Sequence, residues 1–141
     1  MKLLEVFRDF KIYVRGGSYH SRYNAMYRVV PRKEPKKVTV EDLSRYVEEL
    51  QMKHPDSNFY LRTVKVDGRT MYVITRKSYE KLPDGRRKRV YKRIPIYVDV
   101  ENQKFYVPKT YIERKYKLAC YVLMKVLGRL GVSTVEFDHM L

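Results

Sequence analysis

Cysteine occurs once in the 141 residues, as Cys120. A single thiol excludes an intramolecular disulfide framework and a cysteine-based zinc site. Nowhere does the chain approach the roughly 18 consecutive apolar residues of a membrane-spanning helix. Its longest such stretch, Leu118 to Met124, is stopped by Lys125. The opening Met1-Lys2-Leu3-Leu4-Glu5-Val6 has neither the apolar run nor the small-residue cleavage site of a signal peptide. A cytoplasmic, reducing setting with no membrane partner is therefore expected. Side-chain amides are scarce too, limited to Asn24, Asn58, Asn102, Gln51 and Gln103, beside abundant Lys, Arg, Glu and Tyr. That balance is the compositional tendency of thermophilic proteins.

Carboxylates are also few, 16 against 31 Lys and Arg, for a formal charge of +15. With 44% of residues apolar and 13% aromatic, the chain buries enough surface to offset its ordering entropy, and disorder is excluded. The length predicts one domain spanning residues 1–141. The charge is unevenly distributed: residues 1–38 hold ten cations and three carboxylates, residues 39–56 two and five, residues 57–98 twelve and three, and residues 99–141 seven and five. Two basic segments around an acidic island predict a basic face. A surface laced with ion pairs would leave nearly half of these cations without a counterpart.

Leu4, Val6, Phe10, Ile12 and Val14 follow a period of two broken at Arg8, which predicts a strand over residues 2–14. A loop, Arg15-Gly16-Gly17-Ser18-Tyr19-His20-Ser21-Arg22, leads into a second strand from Tyr23 to Val30 that Pro31 ends. Thr39-Val40-Glu41-Asp42 has the form of a capping box and starts a helix over about 39–53, with Val40, Leu43, Val47 and Leu50 on one face and four carboxylates on the outer side. Asp67-Gly68 joins strands 58–66 and 69–76 in a tight hairpin. Pro83-Asp84-Gly85 turns the chain into a strand over 86–94, Ile96, Val98 and Val100 continue it, and Asn102-Gln103 turns it back into Lys104 to Val107. Thr110 to Glu113 has the form of a second capping box, opening a helix over about 110–128. That helix is apolar beyond one stripe, so its surplus at Leu118, Tyr121, Val122 and Met124 is core or a homodimer contact. Residues 132–137 form a last short strand. The fold class is α+β: an antiparallel meander of five to seven strands with the two helices packed mainly on one face.

Arg86-Arg87-Lys88-Arg89, with Lys92 and Arg93, is the densest basic feature. Cations on a turn and along an exposed strand follow a phosphate backbone. Arg62, Lys65, Arg69, Arg76, Lys77 and Lys81 extend the patch if the meander pairs in sequence order. Sheet edges carry Lys and Arg to block aggregation, but six cations in eight residues exceed that need. Among them stand Tyr60, Tyr72, Tyr79, Tyr91 and Tyr97, rings suited to base stacking as well as to sheet packing.

Arg15 and Arg22 flank the paired glycines, whose backbone N–H groups are free to converge on a phosphate; the spacing matches neither a Walker loop nor a dinucleotide fingerprint. The expected function is therefore nucleic-acid binding, mainly to phosphates, with DNA slightly favoured over RNA and no cofactor or metal. Two alternatives stand beside it. One is a small nuclease with His20 or Tyr19 as general base and Arg15 and Arg22 stabilising the transition state. For a metal-dependent nuclease, Asp99 and Glu101 offer a carboxylate pair on one strand face. The other alternative is an interaction or inhibitor module that docks on an acidic protein.

Overall fold

The structure, a computed structural model, describes residues 1–9, 12–15 and 24–139. In chain order its elements are β1 (Leu3–Glu5), α1 (Val6–Asp9), β2 (Ile12–Arg15), β3 (Asn24–Pro31), α2 (Val40–Lys53), β4 (Asn58–Val66), β5 (Arg69–Lys81), β6 (Arg87–Asp99), β7 (Lys104–Pro108), α3 (Lys109–Arg114), α4 (Tyr116–Arg129) and β8 (Ser133–His139). The fold is α+β, with one five-stranded and one three-stranded antiparallel sheet. Contacts group the chain into two compact units, Val38–Gln103 and Met1–Lys37 with Lys104–Leu141. Among the described residues no helix is long and apolar enough to cross a membrane.

In the unit Val38–Gln103, the Thr39 capping box forms as its residues predict. The Asp42 amide donates to Thr39 Oγ1 at 3.2 Å and the Thr39 amide donates to Asp42 Oδ2 at 3.0 Å. Each partner satisfies a backbone donor that the first helical turn leaves free. α2 rests on β4 and buries Leu43. Asp67 and Gly68 adopt φ of 50° and 75°. Two positive values in sequence make the primed turn whose twist matches the flanking strands, and pairing runs from Val66 with Arg69 to Asn58 with Lys77. Met71, Val73, Ile74, Ile96 and Val98 are buried along β5 and β6.

Two expectations change at the end of β6. The strand stops at Asp99, and Glu101 lies in the following turn, so the two carboxylates do not share a strand face. Asp99 is buried and accepts from the Asn102 amide at 3.1 Å and from Asn102 Nδ2 at 2.9 Å. Its carboxylate closes the turn.

In the other unit, β1 pairs with β7 only over Leu3 to Glu5. The strand expected over residues 2–14 is interrupted: Val6 to Asp9 form α1, with Val6 fully buried and the Phe7 ring edge-on to Phe105 at 6.0 Å. The break in period at Arg8 marks this turn. β3 is central in the sheet ordered β2-β3-β8, and α4 packs on β8 and β2. The helix expected over 110–128 is two helices divided at Lys115, and the second capping box does not form. β1 pairing extends to Pro108, and the Lys109 amide donates to Lys2 O at 3.0 Å, so α3 begins directly from β7 with Thr110 already inside it.

Candidate functional site

β5 and β6 are each 13 residues long, whereas β4 has nine. Pairing of β4 with β5 ends at Asn58 and Lys77, but β5 and β6 continue to Lys81 and Arg87. Residues 78–81 and 87–90 therefore run beyond β4 as a two-stranded ribbon; with the turn 82–86 between them and the flanking residues 76–77 and 91–93 at its root, it is here called the arm.

Local chemistry builds both its ends. At the tip, the Gly85 amide donates to Leu82 O at 3.0 Å, the Leu82 amide to Arg86 O at 2.8 Å, and the Arg86 amide to Asp84 Oδ1 at 3.0 Å. Pro83 opens this turn, and Gly85 at φ 85° closes it in a conformation that L side chains disfavour. At the root, β6 places Ile94, Pro95 and Ile96 opposite the single residue Ile74, between the pairs Val73 with Tyr97 and Thr75 with Arg93. Pro95 has no N–H to give the ladder, and the resulting bulge re-aims the strand.

Opposed residues of a strand pair share a face. One face of the arm carries Lys77 opposite Tyr91, Tyr79 opposite Arg89, and Lys81 opposite Arg87; the other carries Arg76 opposite Lys92, Ser78 opposite Val90, and Glu80 opposite Lys88. The first face has no carboxylate. Tyr79 and Tyr91 on it are 53% and 55% exposed, the same range as Tyr121 on α4 and far from the packed state of Tyr97 at 3%. Between Arg76 and Arg93 there are nine cations and two carboxylates, Glu80 and Asp84. Asp84 Oδ2 lies 3.8 Å from Arg86 Nε. Among the described residues no carboxylate is within ion-pair distance of Arg87, Lys88, Arg89 or Lys92.

The arm thus gathers Lys77, Lys81, Arg86, Arg87, Lys88, Arg89 and Lys92 from the basic residues singled out in the sequence. Arg76 and Arg93 stand at its root and are engaged internally. Arg76 Nε donates to Ser57 Oγ at 2.9 Å with its guanidinium 5.7 Å from the Phe59 ring, and Arg93 Nη1 donates to the Tyr97 hydroxyl at 3.2 Å. Arg62, Lys65 and Arg69 lie toward the Asp67-Gly68 turn. Arg69 and Lys81 are the two ends of β5, roughly 40 Å apart at strand rise. Of the five tyrosines singled out in the sequence, Tyr79 and Tyr91 are set opposite cations, Arg89 and Lys77, by the register that runs outward from the Pro83-Asp84-Gly85 turn.

Of the loop proposed for nuclease chemistry, Gly16, Gly17, Ser18, Tyr19, His20, Ser21 and Arg22 lie outside the described residues, and Arg15 ends β2. His54 is the C-cap of α2, its ring 5.9 Å from that of Phe59. Among the described residues no three His, Cys, Asp or Glu side chains come together. On α4, Leu118 and Tyr121 are exposed, Val122 and Met124 are half-buried, and Lys125 Nζ lies 4.5 Å from the Tyr121 ring centre. Cys120 is buried, which pushes its thiol up to about 11. The chain matches no known family model, no curated protein and no solved structure.

Proposed function

We propose that this protein binds nucleic acid, DNA or RNA, chiefly through phosphate contacts made by the arm. One observation carries the reading: like charges stand directly opposite one another, Lys81 against Arg87 and Arg76 against Lys92, in a segment with nine cations and two carboxylates. Opposed like charges weaken strand pairing. A polyanion laid along the ribbon relieves that repulsion and releases its own counterions in doing so. Edge protection explains scattered lysines on a bare ribbon, but it does not require cations facing cations. A two-stranded ribbon also has the width of a shape that enters a major groove or lies along a single strand.

A binding titration over a range of salt, on duplex DNA, single-stranded DNA and RNA, tests the reading. Contact with about five phosphates gives a slope of roughly −4 to −5 in log affinity against log salt on the duplex. A slope near zero, or no binding at low salt, overturns it in favour of an acidic protein partner. Cleavage of the labelled strands, lost on His20→Ala with binding retained, moves the chemistry to the Gly16-Gly17 loop.

A further inference from the structure

We propose, resting on the nucleic-acid reading above, that the carboxylate-free face of the arm is a stacking platform for unpaired nucleotides: Tyr79 and Tyr91 take the bases, and Lys77, Lys81, Arg87 and Arg89 take the phosphates. Strand alternation and register put all six side chains on one face. Tyr79 and Tyr91 are diagonal neighbours across the ribbon, at a spacing of roughly 7–8 Å. An extended strand bridges such a gap with its own backbone. Each ring has a cation directly opposite, Arg89 beside Tyr79 and Lys77 beside Tyr91. A base lying on either ring therefore leaves its phosphate next to a positive charge.

The exposure of the rings argues the same way. Tyrosine favours strands because it packs against a half-covered sheet, yet β4 ends at Asn58 beside the row of Tyr91 and does not reach that of Tyr79, and both rings remain more than half exposed. Folding gains little from them there, whereas a stacked base would bury them. In a duplex the base faces are already stacked on one another, and only edges and backbone are open to a side chain. Flat rings beside cations are matched to bases that have left the stack. The opposite face, with Glu80 among its cations, lacks both rings and is less suited to phosphate.

Fluorescein-labelled oligothymidylate, oligouridylate and a duplex hairpin are the probes, with 2-aminopurine in the single strands to report stacking. Tyr79→Thr with Tyr91→Thr keeps strand propensity and is expected to weaken both single strands roughly tenfold or more, to abolish the 2-aminopurine quench, and to leave the duplex affinity and salt slope unchanged. Tyr79→Phe with Tyr91→Phe retains the rings and is expected to bind as the parent does. Far-UV circular dichroism checks that each variant folds. A second comparison removes equal charge from the two faces. Arg87→Gln with Arg89→Gln is expected to weaken single-strand binding more than Lys88→Gln with Lys92→Gln.

Equal losses from the two charge pairs, or threonine variants that bind single strands as the parent does, overturn the platform and leave phosphate binding standing. A parent that binds only the duplex, with no quench, overturns it as well. No binding to any probe at low salt overturns the nucleic-acid reading itself.

Discussion

Gln103 holds the two ends of the unit Val38–Gln103 together with one side-chain amide. Its Nε2 donates to Val38 O at 2.8 Å and Val100 O at 2.6 Å, and its Oε1 accepts from the Val38 amide at 2.9 Å. Val38 is fully buried, so its backbone groups have few other partners. Gln103→Ala is expected to lower stability by about 2–3 kcal/mol, read from the urea midpoint. Gln103→Gly is expected to lose less, because residue 103 sits at φ 53° and glycine relieves that backbone. A loss below about half a kcal/mol for the alanine variant would make the brace dispensable. The only other glutamine, Gln51, is used in the same way: its Nε2 donates to Ser57 O and its Oε1 accepts from the Phe59 amide at 2.9 Å, fastening α2 to the start of β4. At Cys120, burial raises the thiol from an ordinary 9.0 to about 11, so the folded state favours the protonated form. The stabilisation is whole below pH 9 and is lost as pH rises toward 11. Relative to Cys120→Ala, the parent is expected to lose about 2–3 kcal/mol across that window, and iodoacetamide at pH 8 is expected to react slowly until the protein unfolds.

Among the elements, the arm is held by its turn rather than by the core. Nothing lies within 4 Å of a Cβ built on Gly85, so Gly85→Ala acts only through the strain of φ 85°. That strain is about 1 kcal/mol. Amide exchange in residues 78–81 and 87–90 is expected to quicken about fivefold, while the global urea midpoint hardly moves. An equal fall in global stability would mean that the arm unfolds with the core. α4 divides cleanly into an inner face with Ala119, Cys120, Leu123, Val126 and Leu127 buried, and an outer face with Leu118 and Tyr121 exposed. Of the four residues expected to be core or a homodimer contact, these two are exposed and Val122 and Met124 are half-buried. If Leu118 and Tyr121 form such a contact, light scattering is expected to report a dimer for the parent and a folded monomer for Leu118→Glu with Tyr121→Glu; a monomeric parent removes that role.

For the whole molecule, the formal charge of +15 favours polyanions generally, and the arm holds a disproportionate share of it. Replacing Arg86, Arg87, Lys88 and Arg89 with Ser is expected to weaken every nucleic acid similarly and to flatten the salt slope by about 2 to 4, since each lost phosphate contact removes close to one. An unchanged slope would assign binding to other cations. What the residues determined by themselves was local: the Thr39 cap, the Asp67-Gly68 and Pro83-Asp84-Gly85 turns, and the clustering of charge, each encoded within a few positions. Two elements were hidden because distant contacts decide them. The 112, 116, 119, 123 spacing reads as one helix, yet the start at β7 and the break at Lys115 make two. Val6 fits a strand pattern but is buried in a helical turn. Only the tertiary structure decided which cations lie together. Period-two alternation fixes a side chain's face within its own strand, whereas the register that sets Tyr79 against Arg89 depends on turn length. The ending of β4 at Asn58 then leaves that pair on an open ribbon, far along β5 from Arg69.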